Sequence, residues 1–151
     1  MNLFPIVAGR FKLDGGAMFG VVPKSIWQRT NPADENNLID LCARCLLIES
    51  GDRLILVDTG MGDKQSERFF SYYKPWGNEN LVDSVISAGF HPNDVTDVLL
   101  THLHFDHCGG ALGGMLTALL LFLCFQMRIT GQMSLIGNGP HNPTLVKKLH
   151  F

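Results

Sequence analysis

Acidic side chains run out before the chain does. All fourteen Asp and Glu residues lie before Gly109, and the segment 112–151 holds none. Excess charge of either sign is also missing overall, because the formal net charge is −2. A chain so close to neutral has no electrostatic pull on nucleic acid or an anionic membrane, and neither is expected as a partner. The opening MNLFPIVAGRFKLDGG lacks the basic and then apolar order of a secretory signal, so a cytoplasmic location is expected. The densest apolar run, Leu116 to Phe125, is shorter than the ~20 residues that cross a bilayer. Cysteine is sparse, with four residues, and in a reducing compartment these do not imply disulfides.

Two of the cysteines form a C-x-x-C, Cys42 and Cys45, inside the apolar stretch LCARCLLIE. That stretch reads as a strand, and an offset of three on a strand puts the two thiols on opposite faces. There they neither close a disulfide nor share a metal without distortion. A chain of 151 residues, 46% hydrophobic, is long enough for one domain with a real core.

The elements follow an α/β order. Up to about Gly20 the chain has strand-like stretches interrupted by Gly9, Gly15 and Gly16. A polar loop follows, VVPKSIWQRTNPADENN, long enough to be functional; Phe19, Val21 and Trp27 are ordinary packing residues by default and cleft-wall candidates only through the family resemblance that the histidine motif carries. Leu38 to Glu49 and Arg53 to Asp58 form a hairpin around Ser50 to Asp52. GMGDKQSERFFSYYKP is helical in part and ends at Pro75. Asn80 to Ala88 has its apolar residues Leu81, Val82, Val85 and Ile86 at helical spacing, with Gly89 as terminator. His91 to Asp94 turns the chain into a last strand, Asp97 to Thr101.

The chemistry concentrates in THLHFDHCGG, Thr101 to Gly110. His102, His104, Asp106 and His107 put three imidazoles and a carboxylate within six positions, and such donors suit a borderline-soft divalent metal, zinc above all. An alternating backbone leaving the strand at His102 sends His102 and His104 to the same side. Asp106 and His107, past the start of the turn, can then reach a second ion nearby. Gly109 and Gly110 allow a tight turn close to the ions. The alternative is a surface loop that is merely rich in histidine. Asp58 ends the buried-strand run Leu54 to Val57 and precedes Thr59 and Gly60. It is either a site carboxylate at a strand end or a turn residue that satisfies local amides. Cys108 beside the cluster is read as a packing residue.

HLHFDH resembles the HxHxDH signature of metallo-β-lactamase-fold hydrolases, and LILVDTG, Leu54 to Gly60, resembles the strand and turn that precede it. AGFHPNDVTDVLLTHLHFDHCGG is similar to the branch that holds N-acyl-homoserine lactonases and methyl-parathion-hydrolase-like enzymes. The resemblance covers about Phe11 to Ala111. It implies the N-terminal half of an αβ/βα sandwich and a pair of zinc ions. His102 and His104 would serve the first ion, Asp106 and His107 the second, and Asp58 would sit beneath the site and organise it. It further implies Asp106 as the catalytic carboxylate that orients the nucleophile, and a small-molecule lactone or other ester as substrate. A thiolester hydrolase or an iron-dependent dioxygenase of the same fold is the alternative among enzymes, although His104 stands where the diiron oxidoreductase branch usually has glutamate. A chain without catalytic function is the alternative from another class.

The family's remaining ligands come from its second half, and His141 and His150 stand in no motif that matches them. The segment 112–151 reads as a translation out of frame. The degenerate code in a shifted frame permits VRRD at Leu112 to Met115, and tryptophan at Thr130–Gly131, Ile136–Gly137 and Asn138–Gly139. On this reading, 1–111 is the family segment and 112–151 is a foreign tail, and the chain is truncated and inactive.

Overall fold

In a computed structural model of the chain, residues 1–111 and 128–129 are described. The tail features discussed above, including Leu116 to Phe125, His141 and His150, lie outside the described residues. Five strands form one sheet in the order β1-β2-β3-β4-β5. They are β1 (Asn2–Asp14), β2 (Leu38–Ser50), β3 (Arg53–Val57), β4 (Asp97–Leu99) and β5 (Arg128–Ile129). The first two pairings are antiparallel, and the two that join β3 to β4 and β4 to β5 are parallel.

Gly9 does not interrupt the first segment, whereas Gly15 and Gly16 stand where the strand has ended and a helix begins. The segment forms one thirteen-residue strand, and Gly9 is absorbed by a register shift between Val7 and Gly9. A bulge of this kind keeps the ladder going while it bends the strand. Asp14 then stops it, because its side chain accepts from Ala17 N–H and caps α1 (Gly15–Phe19). The segment expected to be a polar loop contains a short helix, α2 (Lys24–Trp27). Trp27 is buried at 4% exposure and stacks on Phe19 with centroids 5.0 Å apart, whereas Val21 is fully exposed. Trp27 therefore packs inside and forms no cleft wall.

The hairpin of β2 and β3 forms as expected, with Leu47 opposite Leu56 and Glu49 opposite Leu54. Between β3 and β4 lie α3 (Glu67–Tyr73) and α4 (Leu81–Ser87). Asn80 caps α4 by accepting from Asp83 N–H, and His91 heads the 3-10 turn Pro92–Asp94, where its Nδ1 accepts from Asn93 N–H. The core is the interface of α4 with one face of the sheet. Ile6, Cys45, Leu47, Leu54, Leu56, Val85 and Val98 are buried there together, an α-on-β layer pair of the kind that buries one apolar face of each element. Arg53 stitches the parallel pair, donating to both carboxylate oxygens of Asp97 at 2.9 and 2.6 Å.

Cys42 pairs with Arg10 and Cys45 with Ile6 along β2. Both thiols are free, with Cys45 buried and Cys42 partly exposed. Burial pushes the Cys45 thiol up to about 12, with the Asp58 carboxylate adding to the effect. In native protein at about pH 8, near the ordinary thiol range, Cys45 should therefore resist alkylation by iodoacetamide and become reactive only on unfolding. Mass spectrometry of the quenched digest reads this directly, and rapid native labelling of Cys45 would show that this core is open. Leu47, with no exposed surface, should cost about 2–5 kcal/mol when changed to Ala, measured by urea unfolding.

Candidate metal centre

The site is built where β3 and β4 end side by side. Parallel pairing runs through Val57 and Leu99 and is extended one step by Asp58 N–H, which donates to Leu99 carbonyl at 2.9 Å. At that point Asp58 turns into the left-handed region, φ 59°, which Asp tolerates better than most residues. Thr59 then anchors to the other loop. Its N–H and hydroxyl both donate to His107 carbonyl, at 2.7 and 3.0 Å.

Strand β4 stops at Leu99, two residues short of the expected Thr101. The alternation argument for His102 and His104 therefore does not apply. His102 lies in an irregular segment, and His104 is the N-cap residue of α5 (Phe105–Cys108), which carries Asp106 and His107. The two rings meet all the same, with His102 Nε2 3.0 Å from His104 Nδ1. The His102 and His107 ring centroids are 4.0 Å apart. His107 Nδ1 lies 2.8 Å from Asp58 Oδ2, and its Nε2 is 3.6 Å from Asp106 Oδ2.

Two features here carry no obvious sequence signal. Thr101 is the first. Its N–H donates to Asp58 Oδ1 at 2.8 Å, and its hydroxyl lies 3.0 and 2.8 Å from the two oxygens of that carboxylate. Phe105 is the second. It packs against Phe69 and Tyr73 of α3, with centroids 5.4 and 4.5 Å away, which fixes the orientation of α5. Gly109 and Gly110 serve close approach here, because Gly109 has an ordinary helical conformation. A Cβ on Gly109 would collide with the Met61 backbone, and one on Gly110 with the Thr59 carbonyl. A recess of about 220 Å³ opens beside Asp58, Asp106 and His107, walled by Phe11 and by Leu41 to Cys45 of β2. A larger one of about 420 Å³ lies between β1 and 61–82, away from these donors.

The donors fit a metal in kind and in pair spacing. Two nitrogens on one tetrahedral zinc stand about 3.3 Å apart when each bond is ~2.0–2.1 Å, close to the separation of the His102 and His104 pair. His107 gives one ring nitrogen to the Asp58 carboxylate, as metal-ligating histidines usually do, and turns the other toward Asp106 at 3.6 Å. Among the described residues, however, no group of three or more His, Cys, Asp or Glu side chains is arranged to hold one ion. The donors come as pairs.

A strand-end carboxylate thus lies beside a histidine loop at one end of a mixed sheet backed by helices. Residues 43–115, just under half of the chain, match the metallo-β-lactamase superfamily model. It is 30% identical over 119 residues to an N-acyl homoserine lactonase from a Bacillus species, a match that covers 72% of this chain and 43% of the relative. The structure of a probable metal-dependent hydrolase from Staphylococcus aureus is similar, with TM-score 0.69 and 34% identity over 74% of this chain and 41% of that one. An N-acyl homoserine lactone hydrolase with its product N-hexanoyl-L-homoserine at the catalytic metal centre is similar at TM-score 0.51 and 28% identity, over 72% of this chain and 43% of that one. The chain thus spans about two fifths of the length of the relatives it matches. Among the described residues no helix is long and apolar enough to cross a membrane.

Burial opposes the ionisation of Asp58, which is 7% exposed, but hydrogen bonds from His107 and Thr101 outweigh it and hold the carboxyl below its ordinary value. A depressed folded-state value stabilises the fold above the unfolded value of about 3.9 and is lost as pH falls through the folded one. Urea midpoints measured from neutral pH down to about pH 2 should therefore fall less steeply in Asp58→Asn than in the wild type. Parallel curves would show that Asp58 is not coupled to the fold.

Proposed function

We propose that the chain carries the metal-binding segment of a zinc-dependent hydrolase that acts on a lactone or another ester. The observation that carries this reading is the facing of His102 Nε2 and His104 Nδ1 at 3.0 Å, next to a His107 held by a carboxylate. His102 and His104 would hold one ion, and Asp106 and His107 a second. Bound zinc would supply a Lewis acid and lower the pKa of water. Asp106 would orient the attacking water by accepting its hydrogen bond, and Asp58 would keep the His107 ring in place. The similarity to lactonases supports the lactone class, and the partly apolar recess bounded by Phe11 and Leu41 suits a small neutral ester.

Paired donors hold metal weakly, because even a lost supporting partner typically costs roughly 10–100-fold in affinity, and here the ligands themselves are, among the described residues, too few for one ion. Dialysed 151-residue chain should retain well under two zinc ions. Calorimetric titration should show zinc returning to the wild type and to His91→Ala, and clearly reduced uptake by the double variant His102→Ala with His104→Ala, which keeps only Asp106 and His107. Equal binding by the double variant would overturn the assignment.

We also infer that residues 1–111 form the family segment and that the reading frame departs near Ala111. The absence of acidic residues from 112–151 supports this, and the family match ends at residue 115, a few residues past Ala111. Resequencing the coding DNA should reveal the slip, and the frame-restored protein should be longer, zinc-loaded and active on a lactone. Confirmation of the present frame would refute it.

A further inference from the structure

We propose that Thr101 is a positioning residue that sets the tautomer of His102, so that the metal-facing nitrogen is presented as a lone pair. This rests on the metal reading above for its purpose, but on hydrogen bonding alone for its content. The Thr101 hydroxyl stands at the centre of a small network. It lies 2.8 and 3.0 Å from the Asp58 oxygens and 3.1 Å from His102 Nδ1.

A hydroxyl has one proton to give and two lone pairs to receive. Asp58 also takes the Thr101 N–H and faces His107 Nδ1, and a carboxylate in that position is an acceptor only. The one hydroxyl proton is thereby committed to Asp58. What Thr101 turns toward His102 is a lone pair, so His102 Nδ1 must carry the proton of the neutral ring and its Nε2 must be bare. His102 Nε2 is the atom that faces His104 Nδ1. By the same logic the carboxylate takes the Nδ1 proton of His107 and leaves that Nε2 bare as well. One threonine and one aspartate thus fix two imidazoles in the same tautomer, with no proton lost or gained.

The test reads tautomers without metal. Long-range proton–nitrogen NMR on metal-free, labelled chain at about pH 8, above the ordinary histidine range near 6.5, should show His102 protonated on Nδ1. Thr101→Val keeps the shape and removes the hydroxyl, and it should move His102 toward the Nε2-protonated form. Thr101→Ser should restore the wild-type pattern. Zinc affinity should fall roughly 10–100-fold in Thr101→Val and stay near wild type in Thr101→Ser. A wild-type His102 protonated on Nε2, or a Thr101→Val spectrum and zinc affinity unchanged from wild type, overturns the proposal. Should Thr101→Val fail to fold, the wild-type tautomer alone decides. Failure of zinc to bind the wild type would overturn the proposed function, while the tautomer result would still judge Thr101.

Discussion

The contact on which the site depends is the carboxylate of Asp58 with Thr101 and His107. It joins the end of β3 to a loop that has no strand or long helix of its own to hold it. Nearly buried, Asp58 would be costly if unpaired, and removing one partner of a buried charge typically costs about 3–5 kcal/mol. The loop from Thr101 to His107 is therefore held by a demand of the protein interior as well as by its own backbone. Thr59, bonded twice to the His107 carbonyl, fixes the same loop from its other side.

From that tie the rest of the arrangement follows outward. The parallel pairing of β3 and β4 sets the two chain exits next to each other, and the Arg53–Asp97 fork secures the opposite end of that pair. Close backbone packing of Gly109 and Gly110 on 59–61 brings the loop near enough for Asp58 to reach it. The Phe69, Tyr73 and Phe105 cluster then fixes the angle of α5, and with it the Asp106 and His107 side chains. The core between α4 and the sheet stabilises the platform, and its member Cys45 also walls the recess beside Asp58, Asp106 and His107.

Much of this was legible in the residues. The apolar runs LCARCLLIE and LILV on either side of the turn Ser50 to Asp52 gave the hairpin, and the periodic Asn80 to Ala88 gave α4. These patterns are local, and packing against one face enforces them. The site donors were legible as types because three imidazoles and an acid in six positions leave few other uses. Their geometry was not legible for the reason supposed, since β4 ends at Leu99 and a loop with a short helix brings the rings together. Trp27 was left open between cleft wall and packing, because a polar stretch does not reveal that its one aromatic fills the space beside Gly15. Gly9 looked like a breaker because a bulge is invisible without the partner strand. Thr101 gave no signal, since its role exists only across the gap between two chain segments forty-three residues apart.

The central claim is that this loop is a nitrogen and oxygen site for zinc. A zinc-edge X-ray absorption spectrum of the chain with one equivalent of metal tests it most directly. The account predicts light-atom neighbours at about 2.0–2.2 Å with the outer-shell pattern of imidazole, and no sulfur. A sulfur neighbour at about 2.3 Å, from Cys108 or another thiol, would contradict it.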